Sequence, residues 1–163
     1  MRMTLFVAGA VIAAAGIISM PVRSQQVTKQ NVQGVTNFKR LETTVACAGV
    51  TKASAVPEIK KMGFASIINL RDPNDAGADV EAEASAAKAV GLRYYHLHFE
   101  GSKPDAAVVD KFLDVITTHG SDPAYIHWAS GNSAATMWLI KRLVIDHWDV
   151  DRARAQKTFG FVD

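Results

Sequence analysis

From Phe38 onward the sequence alternates short β-type runs with helical stretches, and few folds accommodate that order. "FKRLETTVACAG", residues 38–49, has the β-branched content of a strand ending at Gly49. Ser54 is placed to cap a helix that runs to Met62 and stops at Gly63. "FASIINL", residues 64–70, is the short, continuously apolar run of a strand buried on both faces. "RDPNDAGAD" is rich in turn formers, and "DVEAEASAAKAV" carries Val80, Ala84, Ala87 and Val90 on one helical face, ending at Gly91. "LRYYHLHF" is the next strand. Ser102, with Pro104 at the first helical position, predicts a helix through Val108, Phe112, Val115 and Ile116 to Gly120. "AYIHW" is a further strand, Ser133 to His147 a helix, and Asp149 caps a last helix from about Val150. Strands alternating with helices at short intervals predict an α/β fold, a mostly parallel central sheet flanked by helices. Ligands of such folds bind off the carboxyl ends of the strands.

The start of the chain is different. Met1-Arg2 is followed by an almost wholly apolar or small-residue run from Thr4 to Ile18, then by Pro21 and a small-residue cleavage site after Ser24. This is the pattern of a signal peptide over residues 1–24, which makes the protein periplasmic or secreted. The run is too short for the ~20 residues that span a bilayer, so no stable membrane insertion is expected after cleavage. Residues 25–37 are polar, without period, and read as a flexible lead-in to a domain over residues 38–163. Removing Arg2 and Arg23 with the leader balances the basic and acidic side chains, so nothing in the charge calls for nucleic acid. The one cysteine, Cys47, excludes an intrachain disulfide and reads as a small buried residue.

The stretch that carries chemistry is "YIHWASGNSA", residues 125–134. It reads as a strand, a small polar loop and a helix start. Such a loop curls its N–H groups inward, and the helix adds its free donors and the positive end of its dipole. From spacing alone this is either an oxyanion cradle or an ordinary tight turn.

The chain resembles the beta-lactamase-hydrolase-like phosphatase domain, a bacterial branch of the tyrosine and dual-specificity phosphatase superfamily. The resemblance lies in "TNFKRLETTVACAG", "AVPEIKKMGFASIINLR", "EAEASAAKAVGLRYYHLHF", "VVDKFLDVI" and "YIHWASGNSAATMWLIKRLVIDHWDVDRA", spanning nearly all of residues 36–155. The family's loop reads H-C-x-S-G-N-R. Its cysteine is the nucleophile, its arginine the bidentate clamp on the phosphoryl oxygens, and its histidine orients the loop by hydrogen bonds. His127, Ser130, Gly131 and Asn132 match that pattern, with Ala129 at the variable position. Trp128 stands where the cysteine is, and Ser133 where the arginine is. The resemblance therefore implies the fold and an anion-binding loop without its reactive pair. Glu100 is the nearest carboxylate to the family's general-acid position, with Asp105 next, and Arg71 at a strand end is a candidate anion contact. The resemblance also leads to the expectation of a further helix beyond Phe161. Loss of both reactive groups together with a short C-terminus is the pattern of a decayed gene copy, or of a retained pseudoenzyme. An active phosphatase is the alternative.

Other constellations are weaker. His96 and His98 share a strand face and, with His127, would make three imidazoles, but no acidic or sulfur ligand has supporting spacing. Ser130 or Ser133 with His127 lacks the G-x-S-x-G elbow of a serine hydrolase. Trp138, Trp148, Phe112 and Tyr125 have the spacing of core residues, and "DVDRARAQK" that of a solvated helix face. No cofactor or metal is called for. The partners that fit are a phosphate-like anion or another protein.

Overall fold

The computed structural model describes residues 27–161, with side chains as far as Gln156. The expected leader and the region beyond Phe161 lie outside the described residues. Six strands form one sheet: β1 (Thr28–Lys29), β2 (Lys39–Glu42), β3 (Val45–Ala48), β4 (Ser66–Asn69), β5 (Arg93–His96) and β6 (Ala124–His127). Their spatial order is β1-β2-β3-β6-β4-β5. β1, β2 and β3 pair antiparallel, while β3, β6, β4 and β5 run parallel. This is the mostly parallel α/β architecture expected. It places β6 between two parallel neighbours, with Ala48 and Asn69 level with His127.

Five α-helices cover the sheet: α1 (Val56–Lys61), α2 (Val80–Ala89), α3 (Ala106–Thr117), α4 (Asn132–Val144) and α5 (Val150–Phe161). Val56 and Ile59 of α1 and Ala87 of α2 pack with Phe38, Phe64, Ile67 and Tyr125 on one face. Phe112 and Ile116 of α3 and Met137 and Trp138 of α4 pack with Leu41, Cys47, Ile68 and Ile126 on the other. Tyr125 and Ile126 thus point to opposite sides of β6, as strand alternation requires. Among the described residues no helix is long and apolar enough to cross a membrane.

Several boundaries differ from the sequence reading. Residues 38–49 are not one strand but the hairpin β2–β3, turning at Thr43-Thr44. Its turn residues are β-branched, so composition conceals the reversal. Part of the segment read as a flexible lead-in is built into the fold, because β1 pairs with β2 and Val32 is buried. Ser54 does not cap α1. A 3₁₀ turn, Ala53–Ala55, leads into the helix, and its N-cap Ala55 makes no side-chain cap bond. Nor does Ser102 cap α3. Asp105 does, accepting from the Ala107 amide at 2.8 Å, so Pro104 sits before the cap rather than inside the helix. Asp149 caps α5 as expected, accepting from the Arg152 amide at 2.8 Å.

Candidate functional site

The carboxyl end of β6 opens into the loop Trp128–Gly131, and α4 begins at Asn132. The Trp128 amide still belongs to the sheet, donating to the Ala48 carbonyl at 3.1 Å. After it the chain leaves the ladder. Among the described residues, the amides of Ala129, Ser130, Gly131, Ser133 and Ala134 donate to no other part of the protein. The Asn132 amide reaches only the Ser130 hydroxyl, at 3.4 Å. Gly131 is the N-cap of α4, at φ +94°, and supplies no side-chain cap. A left-handed φ of that size suits glycine, the residue without a Cβ penalty there. By contrast α2, α3 and α5 are each closed by an aspartate, Asp79, Asp105 and Asp149. The first turn of α4 keeps its donors and its dipole end for something else, which is the arrangement that cradles an oxyanion.

Neighbouring segments hold the loop from outside. Asn37 Nδ2 donates to the Ser130 carbonyl at 3.3 Å. Gly49, one residue past β3, lies so close that an added Cβ would stand 2.3 Å from the Thr36 hydroxyl and 3.1 Å from the Ala129 carbonyl. On the other side a Cβ on Gly101 would lie 3.4 Å from the Ser133 hydroxyl, so the segment carrying Glu100 abuts the start of α4. Glu100 itself is exposed and accepts from the Ser102 hydroxyl at 2.8 Å.

The side chains of the loop differ in exposure. Trp128 is partly buried and packs against the apolar cluster under α3 and α4. Ser133 is buried, Ser130 and Asn132 are exposed, and Ala129 is intermediate. The chain's one thiol, Cys47, is fully buried on β3 opposite Ile126. Burial first, and the Glu42 carboxylate second, push that thiol far above its ordinary value. A neutral, enclosed sulfur cannot act as a thiolate.

Two expected contacts take other forms. Arg71 is buried rather than presented as an anion contact. Its terminal nitrogens donate to the carbonyls of Gly77 and Ala76 at 3.2 and 3.0 Å, and its Nε lies 3.6 Å from Asp75. It closes the turn that follows β4. His127 makes no hydrogen bond to the loop. Its imidazole, 0% exposed, faces α2, with Nε2 at 2.8 Å from Glu83 Oε1. The three histidines are not gathered either. His96 Nε2 is 2.8 Å from the Arg71 carbonyl, and His98 is 3.5 Å from Asp72. Among the described residues no group of three His, Cys, Asp or Glu could hold a metal ion.

Glu83 is the residue the sequence reading missed. It stands in the apolar face of α2, four residues before Ala87, and is 3% exposed. Its Oε2 accepts from Asn69 Nδ2 at 2.9 Å and from the Tyr94 hydroxyl at 3.3 Å. Burial, and then the Glu83 charge, push the Tyr94 phenol well up, so it keeps the proton it donates. The available signal was positional: a carboxylate inside an apolar stripe is rarely buried unless something pairs with it.

A mostly parallel sheet whose central strand runs into a curled loop and an uncapped helix is a fold that this chain shares with solved phosphatase structures. A candidate phosphatase of the DUF442 group from Shewanella putrefaciens CN-32 superposes with a TM-score of 0.65 at 16% identity, over 77% of this chain and 80% of that one. TpbA from P. aeruginosa, in a variant crystallised with phosphotyrosine, gives 0.64 at 16% identity over 86% and 83%. The catalytic core of the PP-IP phosphatase SIW14 from S. cerevisiae, with citrate, gives 0.61 at 16% identity over 81% and 80%. At such identities the likeness is one of fold. No protein-family model matches the chain, and no curated protein does.

Proposed function

We propose that this protein is a member of the tyrosine/dual-specificity phosphatase-like group that lacks cysteine-dependent turnover and serves as an oxyanion-binding or protein-interaction module. One observation carries the reading. The loop has free amides and an uncapped helix, and its sequence carries Trp128 and Ser133 where the loop of the family it resembles carries nucleophile and clamp. Indole offers phosphorus no usable lone pair, and loss of a catalytic nucleophile costs a factor on the order of 10⁴ to 10⁶ in rate. A serine hydroxyl cannot replace a bidentate guanidinium, whose loss independently removes roughly 3 kcal/mol or more of transition-state stabilisation. Cys47 offers no substitute from inside β3. What remains is backbone recognition of an anion without a fixed cation, for which inorganic phosphate should bind with a Kd on the order of 1 mM.

The test is hydrolysis of an aryl phosphate, a choice supported by the phosphotyrosine held by the TpbA variant. No turnover above background is expected from the purified protein. The Trp128→Cys/Ser133→Arg double variant is expected to hydrolyse the ester on the retained scaffold. Turnover by the unmodified protein would overturn this reading and favour an active phosphatase, as the neighbours' names suggest. A double variant that folds yet stays inert would mark a remnant. The leader-like N-terminus supports a periplasmic or secreted location, which N-terminal sequencing of the exported protein tests.

A further inference from the structure

Glu83, His127, Asn69 and Tyr94 form a buried polar cluster drawn from four elements, α2, β6, β4 and β5. Its place is specific. Asn69 and His127 are register partners and the last residues of their strands, so the cluster lies directly beneath the loop. His127 is the residue from which the loop departs. Asn69 extends the reach of the cluster, since its Oδ1 accepts from the Arg71 amide at 2.8 Å in the turn after β4.

Such a cluster is a poor way to gain stability, because a buried ionic group is often replaced by apolar side chains at no loss. Here it interrupts an otherwise apolar helix face. The carboxylate divides its two oxygens: Oε2 is satisfied by Asn69 and Tyr94, and Oε1 is left to His127. The 2.8 Å approach of Nε2 is close without being aligned as a hydrogen bond, and Nδ1 has no partner among the described residues. Glu83 is thus the carboxylate set against the imidazole, whose ring also lies 5.8 Å from that of Tyr125.

We propose that Glu83 is the positioning residue of the anion loop: it fixes the His127 ring, and with it the direction in which the chain leaves β6. The proposal rests on the loop being an oxyanion site, but its primary readout does not. In the full chain, the amide resonances of residues 129–134 and the imidazole nitrogens of His127 are compared between wild type and Glu83→Gln. The expected result is a changed imidazole nitrogen spectrum and loop amide shifts larger than those of α1 or α3. Inorganic phosphate affinity should fall at least tenfold, and Glu83→Asp, which keeps the charge, should recover part of both. Unmoved loop amides, or phosphate affinity within a factor of two, would overturn the proposal. If wild type binds no phosphate, the anion reading fails alone and the amide map still decides the role of Glu83. Should Glu83→Gln not fold, Tyr94→Phe removes a single donor to the carboxylate. It should shift the same resonances by less, and an unchanged loop in that variant counts against the proposal.

Discussion

At the scale of the residue, the site is defined as much by what crowds it as by what lines it. Gly49 is a case in point. It touches Thr36 and the Ala129 carbonyl so closely that any side chain there must displace one of them. Gly49→Ala should cost about 1–3 kcal/mol, the usual penalty of overpacking, and should weaken phosphate binding as the loop moves. Thermal melting and a phosphate titration of the same variant check both. The residues that the family resemblance singles out by motif position are His127, Trp128, Ser130, Gly131, Asn132 and Ser133. Glu83 and the true employment of Arg71 were not legible, because partners brought together by the sheet leave no spacing in the sequence. From the sequence, Arg71 reads as a candidate anion contact at a strand end. In the fold the arginine turns inward onto two carbonyls that only a particular turn presents.

At the scale of the element, the helices declared themselves by apolar period and the buried strand β4 by its unbroken run. What stayed hidden was local competition. Two threonines concealed the β2–β3 turn, and a proline drew attention to Ser102 when Asp105, one residue beyond it, was the better cap. The α4–α5 corner shows a further device. Arg142 stacks on Trp138 and Trp148 at 4.6 and 4.1 Å, Arg152 covers Trp148 at 3.6 Å, and Arg142 also pairs with Glu42 and Asp146. Trp148 is therefore sandwiched between guanidinium groups rather than sunk in the core. Burial raises the Asp146 carboxyl, but bonds from Lys141 and Arg142 outweigh it and hold the group below its ordinary value of 3.8. A depressed carboxyl contributes stability that is present above 3.8 and is lost as pH falls through the lower, folded-state value. Asp146→Asn should thus cost about 1 kcal/mol at neutral pH. The difference from wild type should close on acidification below 3.8, as read by urea titrations at a series of pH values.

At the scale of the whole molecule, one sheet carries two apolar layers, and β6 contributes to both through Tyr125 and Ile126. Neither layer can melt without stripping a face from the strand the other needs. Unfolding should accordingly be two-state, with tryptophan fluorescence and far-ultraviolet circular dichroism giving coincident urea transitions. Phe112→Ala, which empties a fully buried site in one layer, should lower the stability by about 3–5 kcal/mol. It should do so without separating the two transitions, and a split would show that the layers are independent. The parallel order of β3, β6, β4 and β5 also explains why the overall architecture was readable early. Alternation of strand and helix leaves few ways to connect the chain, whereas the antiparallel additions at the edge follow no such rule.

The enclosure of Cys47 has a practical corollary. With its sulfur sealed between the sheet and the helices α3 and α4 and held in the unreactive form, the native molecule offers maleimides and haloacetamides nothing to attack. A solitary cysteine engineered anywhere on the exterior becomes a uniquely addressable handle for dyes, spin labels or crosslinkers, with no need to delete the original.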